Sequence, residues 1–151
     1  MSDDSDLIKL YSTRILALAA DIPHAGHLDH PAGSSKQRAP LCGSTVSVEL
    51  ATDADGRISD FAQVVRACAL GQASASVLGA QVLGLERATI QRGRDQLEAM
   101  LKQGGPVPDA PFEALEALLP ARDFKNRHAS ILLAWEATLA ALDQARASQT
   151  G

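Results

Sequence analysis

The alternation of apolar and polar positions changes period along this chain, and each change marks an element. Leu7, Leu10, Tyr11, Ile15 and Leu18 recur at spacings of three and four, one apolar face of a helix that starts near the Asp/Ser cluster at residues 2–6 able to cap it. From Thr45 the period falls to two. Val46, Val48 and Leu50 alternate with Ser47, Glu49 and Ala51, which predicts a half-buried strand. Asp53-Ala54-Asp55-Gly56 supplies turn chemistry, and Ile58 to Val65 forms a second strand. So short a connection cannot make a parallel crossover, so the two strands pair as an antiparallel hairpin. Between the first helix and the hairpin, Ile22 to Pro40 carries three prolines, two glycines and three histidines. It reads as a long, mostly irregular connection, of a kind that is often functional.

Helical spacing returns after Cys68. A run rich in Ala, Ser, Leu and Gly reaches Gly84, with Ala73, Val77, Ala80 and Gln81 on one helical face. Its small residues would allow close approach to a sheet. Leu85 to Gln103 predicts a further helix, stopped by Gly104-Gly105-Pro106-Val107-Pro108. A short helix follows from Pro111 to Leu119, with proline in its first turn and Pro120 breaking it. The last helix runs from about Asn126 to Ala147, with Ile131, Trp135, Leu139 and Leu142 at helical spacing, and residues 148–151 are expected to fray. Neither an internal repeat nor a linker is visible, so residues 1–151 read as one domain. Strands segregated from helices point to α+β rather than a parallel sheet.

Composition narrows the function classes. A chain of 151 residues can bury a core without disulfide staples. Apolar residues are 46% and charged residues 21%, which excludes wholesale disorder. Aromatics are only 3%, so aliphatic and alanine side chains must fill the core. A formal net charge of −4, with neither a basic face nor stacking aromatics in evidence, argues against a nucleic-acid partner. No apolar run is long enough for a bilayer, and the acidic N-terminus lacks the basic start of a secretory signal. Two cysteines without a disulfide framework make the cytoplasm the expected compartment, with no membrane partner.

The candidate chemistry centres on those cysteines. Cys42 precedes the strand pattern and is followed by Gly43, which can turn free N–H groups toward a sulfur. Cys68 opens the small-residue helix, whose positive end favours a thiolate. Each could instead be a small buried hydrophobe. His24, His27 and His30 form a His-x-x-His-x-x-His run that could wrap a metal or simply be a solvated loop, since Pro23, Gly26 and Pro31 oppose a regular helix. His128, at the start of the last helix, is a borderline ligand for zinc or iron, or a histidine exposed to water. No nucleophile elbow, phosphate loop or Cys-x-x-Cys pair is present.

Three segments together resemble a known family. Ala39-Pro40-Leu41-Cys42-Gly43 is similar to the Ala-Pro-x-Cys-Gly-Asp segment of iron–sulfur cluster assembly scaffolds of the NifU N-terminal/IscU/SufU type. Cys68-Ala69-Leu70-Gly71-Gln72-Ala73-Ser74-Ala75-Ser76 resembles their Cys-x-x-x-x-Ala-Ser-x-Ser signature, and His128-Ala129-Ser130-Ile131-Leu132 their third signature, a His/Lys-Cys pair before an aliphatic run. Trp135 stands where SufU-like members often have tryptophan. The resemblance implies an α+β fold with a small antiparallel sheet of about three strands against several helices, the SufE/NifU fold. It implies a non-enzymatic scaffold or carrier that takes sulfur from a cysteine desulfurase and passes a cluster to recipient apo-proteins. It makes Cys42 and Cys68 ligands for iron, zinc or a nascent [2Fe–2S] cluster, with His128 an auxiliary candidate. The alternative it leaves is a degenerate paralogue that binds partners or accepts persulfide.

Departures from the family pattern are specific. Its aspartate after Cys-Gly is Ser44 here, and its third cysteine is missing. Counting back from Trp135 puts Ser130 in that slot, whereas matching the His-Cys pattern puts Ala129 there. The chaperone-binding Leu-Pro-Pro-Val-Lys segment survives only as Leu119-Pro120-Ala121-Arg122. A cluster normally needs four protein ligands, so two chains could share one, each giving Cys42 and Cys68. That arrangement predicts a cluster-bridged homodimer. A persulfide or an exogenous thiol could complete the shell instead.

Overall fold

Three antiparallel strands in the order β1-β2-β3 form the only sheet among the described residues: β1 (Gly33–Arg38), β2 (Thr45–Thr52) and β3 (Ile58–Arg66). The computed structural model describes residues 12–40 and 43–150, with side chains to 147. Strand β2 carries the predicted alternation, with Val46, Val48 and Leu50 buried and Thr45, Ser47 and Glu49 partly exposed. The β2–β3 turn is built as its composition requires. Asp53 Oδ1 accepts the N–H groups of Asp55 at 2.9 Å and Arg57 at 3.0 Å, and Gly56 takes a φ of +83°.

Strand β1 lies within Ile22 to Pro40, where the sequence predicts an irregular connection. Its residues Ser34 to Arg38 are all polar, so no apolar alternation announces a strand. Pairing with β2 supplies the order instead, with Gly33 opposite Leu50 and Arg38 opposite Thr45. Gly33 also lets the last helix settle onto the strand. A Cβ there would stand 2.1 Å from the Ala141 carbonyl oxygen and 2.7 Å from the Ala145 nitrogen. Ahead of β1, residues 24–26 run beside β3. The Gln63 N–H donates to the His24 carbonyl at 2.9 Å, and the Gly26 N–H donates to the Gln63 carbonyl at 3.0 Å.

Helix α1 (Thr13–Ala20) is capped by Ser12, whose hydroxyl accepts the Ile15 N–H at 3.2 Å. Of its predicted face Ile15 is fully buried and Leu18 partly, while Leu7, Leu10 and Tyr11 lie outside the described residues. Helix α2 (Ala69–Gln81) departs from the expected one-sided face. Leu70, Gly71 and residues 73–79 are buried, so nearly its whole circumference is covered, while Ala80 and Gln81 are exposed. It packs mainly on α1 and on the last helix, and only lightly on the sheet. Helix α3 (Arg87–Lys102) matches its predicted span and buries Ile90, Leu97, Met100 and Leu101.

The short helix expected at 111–119 is a 3₁₀ run, Glu113–Asp123, that carries Pro120 inside it rather than ending there. Proline costs such a run one N–H donor, and the tighter winding goes on past it. A second 3₁₀ turn (Lys125–Arg127) leads into α4 (His128–Thr150). Helix α4 crosses β1, β2, α2 and α3, so it is the central support of the fold. Trp135 is fully buried there, edge-on to Phe112 with ring centroids 4.7 Å apart. Its indole N–H donates to Ser74 Oγ at 2.9 Å, and Ser74 in turn donates to the Ile131 carbonyl at 2.7 Å. The observed architecture is the α+β arrangement of three antiparallel strands and several helices.

Candidate functional site

Strand β3 ends at Arg66 and α2 begins at Ala69, which leaves Cys68 as the helix cap in extended conformation (φ −65°, ψ 168°). Its carbonyl already accepts the Gln72 N–H at 2.9 Å, while its side chain caps nothing. The thiol is partly exposed and makes no disulfide. Facing it is the first turn of α4. Cys68 Sγ and Ser130 Oγ lie 3.7 Å apart, within reach of a sulfur hydrogen bond, and Ser130 Oγ donates to Ser44 Oγ at 3.0 Å. Thus the end of β3, the start of β2 and the start of α4 each present one side chain at a single point.

The close approach of α2 and α4 there depends on Gly71. A Cβ at that position would stand 2.7 Å from Ser130 Oγ and 3.1 Å from the Ser130 carbonyl oxygen. Ser44 is held by backbone as well, since the Ala39 N–H donates to its carbonyl at 2.9 Å. Gly43 adopts a φ of +70°, in the left-handed region that glycine enters freely, and its N–H donates to the Ala39 carbonyl at 3.1 Å. Cys42, the other predicted ligand, lies outside the described residues with Leu41.

The hydroxyl between the two other groups has one proton and two lone pairs. When Ser130 donates to Ser44, the contact with sulfur is supplied by the Cys68 S–H. A thiolate at Cys68 would reverse this, drawing the Ser130 proton to sulfur. The cluster can therefore accommodate either protonation state of Cys68 by rotating one hydroxyl. As a metal shell it is short of soft donors. Hydroxyls bind iron or zinc far less well than thiolates, and no group of three or more His, Cys, Asp or Glu side chains converges among the described residues.

The remaining predicted residues sit elsewhere. Ala129 is exposed, so Ser130 rather than Ala129 is the residue beside Cys68. His128 is buried at 3% exposure, not solvated, and its Nε2 lies 2.9 Å from the Ala121 carbonyl oxygen. Two positions along a helix turn a side chain by about 200°, so His128 and Ser130 leave α4 in nearly opposite directions. The three loop histidines do not converge. His24 rests edge-on against Phe61, His27 Nδ1 is 3.4 Å from Glu49 Oε1, and His30 is exposed. The Ser44–Ser130 bond itself was not visible in the sequence, because its partners are 86 positions apart and neither lies in an apolar pattern.

Comparison with known proteins places this geometry among relatives. The family model described as the NifU-like N terminal domain matches residues 10–127, ending one residue before His128. A NifU-like protein (N-terminal) from Brucella abortus shares 39% identity over 94% of this chain and 98% of its own, with a TM-score of 0.90. A candidate iron–sulfur cluster assembly scaffold protein for the SUF system from Fervidobacterium islandicum AW-1 has the same fold at 21% identity. Its TM-score is 0.77, with 88% of this chain and 96% of that one covered. A hypothetical protein of known structure follows at 26% identity and a TM-score of 0.69, covering 89% of this chain and 97% of its own. No curated protein matches the chain.

Proposed function

This chain belongs to the NifU-like N-terminal domain family, and we propose that it serves iron–sulfur cluster assembly as a scaffold or carrier whose cargo is held through Cys42 and Cys68. In this reading residues 1–151 act as one domain. The observation that carries the reading is the convergence of Cys68, Ser44 and Ser130 from three elements at one point, with Gly43 tying that point to Cys42 in sequence. Two of those three positions carry hydroxyls where the family pattern has an aspartate and a cysteine. One chain therefore offers two thiolates, and a [2Fe–2S] cargo requires four ligands. Two chains contributing Cys42 and Cys68 each satisfy that count. Sulfur would come from a cysteine desulfurase, and the cargo would leave for recipient apo-proteins by ligand exchange. Ligation through few thiolates would ease that release. The chain's own part is binding rather than catalysis. The exchange between partners is placed in the cytoplasm in this reading. No helix among the described residues is long and apolar enough to cross a membrane.

Anaerobic incubation with ferrous iron and sulfide tests the proposal. The wild-type chain should gain visible absorption together with a shift to dimer mass, and Cys68→Ser and Cys42→Ser should each abolish both. A chromophore that survives either substitution defeats the assignment. The shortage of soft donors favours one second reading, in which the chain accepts persulfide on Cys68 or Cys42 without a stable cluster. Mass spectrometry after incubation with a desulfurase would then show one added sulfur atom on one cysteine, with no requirement for iron.

A further inference from the structure

The outer face of the sheet gathers cationic side chains, whereas many of the cations elsewhere are neutralised by carboxylates. Arg14, Arg57, Arg87, Arg92, Arg94 and Lys102 each pair with a carboxylate. Lys36, Arg38 and Arg66 make no ion pair among the described residues, although the chain as a whole has a net charge of −4. All three are exposed. Strand register puts them together. Arg38, Thr45 and Arg66 form one row across β1, β2 and β3, and Lys36, Ser47 and Val64 form the next row on the same face. This is the face opposite Val46, Val48 and Leu50, which point into the core.

These two rows line an open groove of about 550 Å³, with His27 and Gly43 at its margins. The acid on the adjoining row, Glu49, is already engaged. Its Oε1 accepts the Leu28 N–H at 2.8 Å and lies 3.4 Å from His27 Nδ1. Two strand spacings set the Arg38 and Arg66 backbones about 10 Å apart, and two residues along β1 set Lys36 about 7 Å from Arg38. Three cations spread over two rows and two outer strands offer more sites than one small anion occupies. Carboxylates on alternate residues of an extended chain recur at about 7 Å and do match this array. Val64 adds an apolar patch to the floor.

We infer that this groove docks an extended acidic segment of a partner protein. Gly43 lines one margin and directly follows Cys42, so a segment seated there brings its protein to the cysteine-bearing end of the sheet. The inference requires no cargo at the cysteines and stands whether or not a cluster is bound.

A fluorescent peptide of alternating glutamate and serine, titrated into the full chain at low ionic strength, provides the test. Anisotropy should report binding that weakens steeply with added salt. The triple substitution Lys36→Ala, Arg38→Ala, Arg66→Ala should weaken it by about tenfold or more, while Lys102→Ala with Lys125→Ala should leave it unchanged. Amide shifts in NMR should cluster at residues 36–38, 45–47 and 64–66. Equal binding of a glutamine-for-glutamate peptide would overturn the inference. So would equal loss in the Lys102/Lys125 variant, shifts centred elsewhere, or full displacement by equimolar inorganic phosphate. Should the triple variant fail to fold, Arg38→Ala and Arg66→Ala singly carry the test, each expected to weaken binding about twofold or more.

Discussion

Helices α2 and α4 meet twice through serine, less than two turns apart, and the two meetings differ in kind. Deep in the core, Ser74 receives the Trp135 N–H and donates to the Ile131 carbonyl, with Ser74 and Trp135 both fully buried. At the tip, the equally buried Ser130 bridges the buried Ser44 and Cys68, and the sulfur contact stretches to 3.7 Å beside a partly exposed thiol. The inner contact satisfies every donor it buries, which fixes how the helices cross. The outer one holds its groups near one another while leaving the sulfur free to exchange partners. Rigid support beneath a partly exposed thiol is the arrangement that the proposed ligand exchange would use.

The sharpest way to break that contrast is at its inner member. Trp135→Ala removes the largest buried side chain and should lower stability by about 3–5 kcal/mol, read as a fall in the denaturant midpoint. Ser74→Ala keeps the packing but strands the indole N–H, at a cost of about 1–3 kcal/mol. Ser130→Ala should cost less than Ser74→Ala, no more than about 1 kcal/mol. If the two serine variants prove equally destabilising, the tip is as tightly built as the core and the contrast fails.

Ser130→Cys with Ser44→Asp sharpens it from the other side. Without metal the added carboxylate should lower stability, because residue 44 is buried, while zinc affinity, measured by competition with a chromophoric chelator, should rise by about tenfold or more, because a soft thiolate and a carboxylate replace two hydroxyls. Unchanged affinity would mean that these positions do not face a common metal.

The smallest effect belongs to the surface, remote from both meetings. The Asp109 carboxylate accepts the Gln96 Nε2–H at 3.0 Å and pairs with Arg92, and these two partners hold its pKa below the ordinary carboxylate value. Because the folded value is the lower one, the stabilisation is present above the unfolded carboxylate pKa and disappears as pH falls through the folded value. Asp109→Asn should slightly flatten the acid limb of the stability–pH curve and leave neutral-pH metal binding untouched.

What could be read from the sequence follows physical signal strength. Strand β2 announces itself because Val46, Val48 and Leu50 bury one face, and its turn because Asp53 and Gly56 are chemically suited to it. Strand β1 is silent. Its inward positions are Gly33, Ser35 and Gln37, and it becomes a strand only through β2 and α4. That silence also hid the basic groove, since Lys36 and Arg38 share a face only once β1 is extended. At the tip, the cysteine segments were recognisable as motifs. The choice between Ser130 and Ala129 was not, because it turns on helix phase at the first turn of α4. His128 misled for the same reason, since a motif position does not reveal which way a side chain leaves its helix.

Gly71 has a consequence of its own. Because a bare backbone sets the gap between the two helices at the tip, the side-chain oxygen of residue 130 meets no side chain from residue 71. The donor atom at that position can be swapped without a matching change at residue 71. A chain of this kind could gain or lose its grip on a soft metal through one-atom exchanges, sulfur for oxygen, without renegotiating its fold.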